Sequence, residues 1–175
     1  MCRLEKFSGR ALAAAVALIL AACGHGPLFE ENQSEAAAET ESVPKFPAFP
    51  VDARLIKADL GGPFEYSIDP ESISVAKGIV FYTVVARSSA GALNVRFEGI
   101  RCGGRERKLY ASGRSDGNWA AVRNPEWESG RNAAGSYYVT IADVYFCPNK
   151  RPVADAAEAI GALKNGRHPD TVPKP

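Results

Sequence analysis

Ile79-Val80-Phe81-Tyr82-Thr83-Val84-Val85-Ala86 is the stretch that decides the fold of this chain. It is apolar on both alternating sides, the pattern of a central strand covered on both faces. Ser88-Ser89-Ala90-Gly91 then has turn chemistry, and Leu93 to Cys102 reads as the returning strand of a hairpin. That strand carries a parity conflict. Leu93, Val95 and Phe97 share one side and Asn94, Arg96 and Glu98 the other, so strict alternation sends Ile100 and Cys102 to the polar side. A β-bulge at Gly99 is expected to return them to the core, since glycine inside a strand often marks one.

Working outward, Leu55 to Leu60 reads as a first strand, and Phe64-Glu65-Tyr66-Ser67-Ile68 alternates as a half-buried one. Asp69-Pro70-Glu71-Ser72 has the residues of a turn, Ile73 to Val75 resumes briefly, and Lys77-Gly78 turns into the central strand. Beyond the hairpin, Cys102-Gly103-Gly104-Arg105 turns into a strand from Lys108 to Ser112. The last third changes period. Tyr138, Ile141, Ala142, Tyr145 and Phe146 follow i, i+3, i+4, i+7 and i+8, which predicts a helix, while β-branched Val139, Thr140, Ile141 and Val144 leave a strand as the alternative for 136–146. Pro152 to Lys164 predicts a second helix, with Pro152 in the first turn, Asp155 and Glu158 early, Lys164 late and Gly166 after it. The expected fold is α+β: a small antiparallel sheet of about five strands, with one or two C-terminal helices on one face and one disulfide.

Upstream of this domain, expected over residues 51–167 with a tail at 168–175, the sequence reads as an export signal. Arg3, Lys6 and Arg10 precede an uncharged run from Ala11 to Ala22. That run suits a signal-peptide core but falls short of the ~20 residues that span a bilayer. Leu20-Ala21-Ala22-Cys23 ends it like the lipobox of bacterial lipoproteins, so residues 1–22 are expected to be cleaved and Cys23 to carry lipid. Gly24 after the Cys, in place of Asp, directs such lipoproteins to the outer membrane of Gram-negative bacteria. Removing residues 1–22 takes away Arg3, Lys6, Arg10 and Glu5, so the formal net charge falls from +1 to about −1. Residues 23–50 read as a tether: Glu30, Glu31, Glu35, Glu39 and Glu41, then Pro44-Lys45-Phe46-Pro47-Ala48-Phe49-Pro50 as a stiff lead-in. A flexible run of about 22 residues spans a root-mean-square distance near 25 Å.

Charge and composition narrow the chemistry. A net charge near neutral gives no pull toward nucleic acid. His25 falls in the tether and His168 in the tail, so neither reads as a metal ligand or base, and no cofactor is expected. Gly61-Gly62 and Gly103-Gly104 lack phosphate-loop spacing. Cys102 and Cys147 are the only thiols after Cys23, and in an oxidising compartment such a pair is a structural disulfide. Nine basic residues against five acidic ones fall between Arg87 and Arg131. Arg105, Arg107, Lys108, Tyr110 and Arg114, with Trp119 and Trp127, form a candidate surface for an anionic polymer or headgroup. The plainer reading is a solvated face whose arginines pair with Glu98, Glu106 and Asp116. Glu126 and Glu128 beside Trp119 and Trp127 suggest a glycan hydrolase, but nothing in the sequence separates the two carboxylates' environments as acid–base chemistry needs.

Phe97-Glu98-Gly99-Ile100-Arg101-Cys102, Glu106 to Ala111, Gly113-Arg114, Asp116-Gly117, Trp119, and Tyr145-Phe146-Cys147-Pro148 resemble the CNP-one-like group of outer-membrane lipoproteins, named for a cryptic neisserial protein. The likeness covers about residues 46–166, with Phe81 standing where Arg is expected. It implies location and a single fold, and carries over no catalytic residue. A looser likeness joins the chain to surface adhesin E-type domains, at the level of fold alone. The expected protein is a non-enzymatic binding or organising module, lipid-anchored at the outer membrane, facing the periplasm, with an envelope protein or polymer as partner. Its alternatives are a surface-displayed adhesin and, on Trp119, Glu126, Trp127 and Glu128, a cell-wall or glycan hydrolase.

Overall fold

The hairpin quoted first is the centre of one antiparallel sheet in the computed structural model, which describes residues 45–130 and 136–171. Strands β1 (Ile56–Ala58), β2 (Glu65–Ala76), β3 (Ile79–Arg87), β4 (Leu93–Arg101), β5 (Glu106–Gly113), β6 (Trp119–Ala121) and β7 (Trp127–Ser129) make a seven-stranded sheet. The first six lie in sequence order, and β7 pairs with β5 beside them. The expectation of about five strands is too low. β6 pairs with Ala111, Ser112 and Gly113 while β7 pairs with Glu106, Arg107 and Lys108, each too short to leave a periodic trace.

Two local readings are corrected. Asp69-Pro70-Glu71-Ser72 does not end a strand: β2 runs through it, and the register with β3 slips between Asp69 and Ser74. The Asp69 side chain accepts from the Glu71 N–H, and the Ser72 hydroxyl accepts from the Thr83 N–H while donating to the Asp69 carbonyl. Those bonds satisfy the bulge internally, and Pro70 has no N–H to leave unpaired. Gly99 does not carry a bulge either. The β3–β4 register is unbroken from Ile79↔Arg101 to Arg87↔Leu93, and the slip lies on β5, where Phe97 faces Ala111 and Glu98 faces Leu109. The parity conflict is resolved by burying the polar residue. Glu98, Ile100 and Cys102 share one side, with Glu98 0% exposed. Gly99 meets a different need, because a Cβ there would come within 3.0 Å of Ile79 and Tyr110 side chains.

The helical third covers one face of the sheet. α1 (Tyr137–Thr140) continues into π-helical turns over Ile141–Phe146, closed by the Cys147 N–H donating to the Ala142 carbonyl at 2.8 Å. Tyr138, Ile141, Ala142, Tyr145 and Phe146 are all buried, so the helical stripe prevails over β-branched propensity by packing. α2 (Ala156–Lys164) starts later than expected. Pro152 lies outside it, and Asp155 caps it by accepting from the Glu158 N–H at 2.9 Å. On this face Ile68, Val80, Tyr82, Ile100 and Cys102 pack with Ile141, Phe146, Val153 and Leu163.

The opposite face holds a smaller aromatic core of Ile79, Phe81, Phe97, Tyr110 and Ala111, with Phe46, Trp119 and Trp127 against it. The Phe81 that departs from the expected pattern is thus buried on this side. Residues 45–50, read as the end of the tether, dock here. Phe46 meets Phe97 edge-on at 5.9 Å, Phe49 lies 5.3 Å from Trp119, and the Trp119 indole N–H donates to the Pro47 carbonyl at 2.9 Å. The lead-in then crosses the sheet through the ion pairs Asp52–Arg87 and Arg54–Glu71 before joining β1. The tail is corrected too. His168 is 3% exposed, its Nε2 is 2.8 Å from Glu158 Oε1, and its backbone N–H donates to the Val144 carbonyl. Cys23 and residues 24–44 of the tether lie outside the described residues.

Candidate functional site

Alternation along β3 and β4, and the pairing of Arg107 with Ile100, put Tyr82, Glu98 and Arg107 on the helix-covered face. There the Glu98 carboxylate is fully buried and held by its neighbours. Tyr82 Oη donates to Oε2 at 2.8 Å, while Tyr137 Oη at 2.5 Å and Arg107 Nη1 at 3.0 Å donate to Oε1. A buried carboxylate lacking such donors costs several kcal/mol, so the arrangement is stable only as a set. Arg107 also donates to Glu128 and lies 5.2 Å from the Tyr138 ring centre. Burial pushes the Tyr82 phenol well above its ordinary value, and the Glu98 charge adds to it. Burial raises Tyr137 likewise, again helped by Glu98 and opposed by Arg107. For Arg107, burial pulls downward, but Glu98 and Tyr137 outweigh it and hold the guanidinium more firmly protonated. Hydrogen-bonded on both oxygens by three neighbours, Glu98 ties β3, β4, β5 and α1 together as a structural pillar.

Beside this pillar the same face is open among the described residues. A cleft of about 220 Å³ is lined by Phe64, Tyr66, Val84, Ala86, Asn94, Arg96 and Tyr137. Tyr66 and Tyr137 stack at 5.3 Å as one wall, and Phe64, 37% exposed, meets Tyr66 edge-on. Arg96 Nη1 donates to Tyr137 Oη at 3.2 Å, and the guanidinium lies 5.9 Å from that ring's centre. Among the described residues no carboxylate forms a salt bridge with Arg96, although the Glu98 charge acts on it; Arg107 behind it bridges both Glu98 and Glu128. A wider, shallower groove of about 710 Å³ shares Phe64 and Tyr66 with the cleft and runs toward Leu60, Tyr145 and Lys164.

The residues singled out from sequence are distributed differently from what was expected. Cys102 and Cys147 are bridged, with Cα atoms 5.3 Å apart, tying the end of β4 to the end of the π-helical turns. The basic-aromatic group is not one surface. Arg107 is buried on the helix side, while Lys108, one residue on, lies on the other face, 4.6 Å from the Trp127 ring centre. Tyr110 is core, 1% exposed. Arg105 sits in a turn, with Nε 2.5 Å from Asp143 Oδ1, and Arg114 is in an exposed turn. Trp119 packs under the lead-in, and Trp127 lies under Arg101 at 4.1 Å. Of the expected ion pairs, Arg107–Glu98 forms, but buried and not on a solvated face. Glu128 is committed to Arg107, while Glu126 is exposed outside the strand. Sequence reading missed Tyr66, Tyr82, Arg96, Glu98 and Tyr137 as a group. The available signal was parity: Glu98 shares its side with Ile100 and Cys102, and Tyr82 with Val80 and Val84.

An α+β domain with an antiparallel sheet, a helical cover on one face and one disulfide is the class these observations define. The model of the CNP1-like family matches residues 34–164, well over half of the chain, and the protein belongs to that family. No curated protein and no solved structure matches it.

Proposed function

We propose that this protein is a non-enzymatic binding or organising module, held by a lipidated Cys23 at the outer membrane of a Gram-negative bacterium and facing the periplasm. The observation that carries the reading is Leu20-Ala21-Ala22-Cys23, closing an uncharged run behind a basic start. The Cys102–Cys147 bridge supports it, since such bonds persist in oxidising compartments. The non-enzymatic part is supported by the ionisable cluster itself, whose buried carboxylate has both oxygens taken by Tyr82, Tyr137 and Arg107. Metabolic labelling with palmitate tests the anchor. Label on the wild type that disappears in Cys23→Ala supports it, and label that survives the substitution sinks it. Protease added to intact cells tests the facing: protection supports the periplasm, and rapid loss of the domain favours a surface-displayed adhesin.

A further inference from the structure

The geometry points to a ligand for the open cleft: we infer that it captures the C-terminal residue of a polypeptide whose last side chain is aromatic or bulky and apolar. This deepens the binding-module reading and rests on it for biological setting, but its chemistry is tested separately.

Three features of the cleft carry the assignment. The first is charge. Arg96 is half-buried, is anchored through Tyr137 Oη, and, although the Glu98 charge reaches it, forms no salt bridge among the described residues. A planar guanidinium fixed at one nitrogen presents its remaining N–H groups to a carboxylate, the geometry in which Arg binds most strongly. Burial lowers its pKa, but the Tyr137 hydrogen bond and the Glu98 charge outweigh burial and Arg107 and raise it. Asn94, two residues away on the same side of β4, adds an amide at the mouth. The second is size and lining. At about 220 Å³ the cleft is smaller than the ~300–1,000 Å³ of sites for drug-sized molecules, and suits a single side chain with its carboxylate. Its floor is Val84 and Ala86, and Phe64, Tyr66 and Tyr137 offer ring edges and faces to an aromatic group. The third is continuity. The groove of about 710 Å³ that shares Phe64 and Tyr66 gives the preceding residues of a chain somewhere to lie, with Lys57, Lys164, Asp59 and Glu65 along it. A free small acid has no use for that groove, and a polypeptide does. Capture of a terminal carboxylate is an established way of reading a chain end.

The test titrates the full-length chain in detergent with Gly-Gly-Phe as the free acid, with the same peptide amidated at its C-terminus, and with 3-phenylpropionate. The free acid is expected to bind, with the amide and 3-phenylpropionate each weaker by about tenfold or more. Arg96→Met should remove that preference for the free acid. Because Arg96 touches the buried pillar through Tyr137, a second variant, Ala86→Trp, fills the floor without altering any charge and should abolish binding in a chain whose circular dichroism is unchanged. Equal binding of acid and amide, or 3-phenylpropionate binding as tightly as the peptide, overturns the assignment. So does undiminished binding to Ala86→Trp, or no binding of the free acid at millimolar concentration. None of these results touches palmitate labelling at Cys23, so a failed cleft and a failed anchor are told apart.

Discussion

The two faces of the sheet are closed by opposite means. The helix-covered face is held by long-range and partly polar ties: a disulfide, a buried carboxylate with its phenol and guanidinium donors, and a helical stripe. The outer face is closed by aromatic contact with a short, otherwise irregular segment, through Phe46, Phe49 and Trp119. On the first face the tolerance for change is set by unpaired charge, and on the second by volume. The contrast teaches that polarity at alternating strand positions is no guide to exposure once a whole set of donors and acceptors is buried together.

The largest expected effect breaks the first face. Glu98→Ala leaves Arg107 with only the exposed Glu128 and strips the Tyr82 and Tyr137 hydroxyls of their acceptor, and should cost about 3–5 kcal/mol. Urea denaturation measures this, and a loss under about 1 kcal/mol means the face is held by packing alone. Next comes the covalent tie. Cys102→Ser with Cys147→Ser opens a loop with a sequence separation of 45 and should cost about 4 kcal/mol in the chain-entropy model. Reduced and oxidised wild type, unfolded side by side, give the same quantity independently.

The hairpin at 79–102 and the C-terminal stripe were legible because each spans enough residues to show a period. The disulfide was legible from the expected oxidising compartment and residue count, though through a faulty step: Cys102 reaches the helix side by plain alternation, with no bulge at Gly99. Short elements were invisible, as β6 and β7 show. Asp69-Pro70-Glu71-Ser72 misled because turn chemistry also builds a bulge when its side chains satisfy the backbone from within. The basic cluster misled because neighbouring residues on a strand face opposite ways, which splits Arg107 from Lys108. The cleft could not be read at all, since Tyr66, Arg96 and Tyr137 come from three elements whose meeting is a tertiary fact.

A third prediction sharpens the contrast from the outer side. A Cβ at Gly113 would lie 2.7 Å from Val95 Cβ and 2.8 Å from Phe49 Cε2. Gly113→Val should therefore expel Phe49 at a cost of about 1–3 kcal/mol. Trp119 fluorescence should shift to the red and protease should cut near residue 48, while the disulfide stays intact. An unshifted Trp119 would mean that the lead-in does not depend on this clearance. The smallest effect shows only at alkaline pH. Tyr82 and Tyr137 are both raised by burial and by Glu98, so the folded state keeps protons that the unfolded chain releases above pH ~10. Their stabilisation is complete below that pH and declines as pH rises beyond it. Stability measured from pH 9 to 12 should fall more steeply in the wild type than in Tyr137→Phe, and parallel curves would dissociate the phenol from the pillar.

The path of residues 45–56 has a mechanical consequence. The chain enters over β5 and β6, where Phe49 and Trp119 meet, and crosses to β1 on the far edge. Along the way it is pinned by Asp52–Arg87 and Arg54–Glu71. A pull on Lys45 therefore loads these contacts one after another, as in peeling tape, and does not shear the strands together. Each freed residue lengthens the connection by up to about 3.5 Å. The belt thus behaves as a short extensible leader, letting the domain yield to tension while the sheet, the bridge and the cleft on its other side keep their shape.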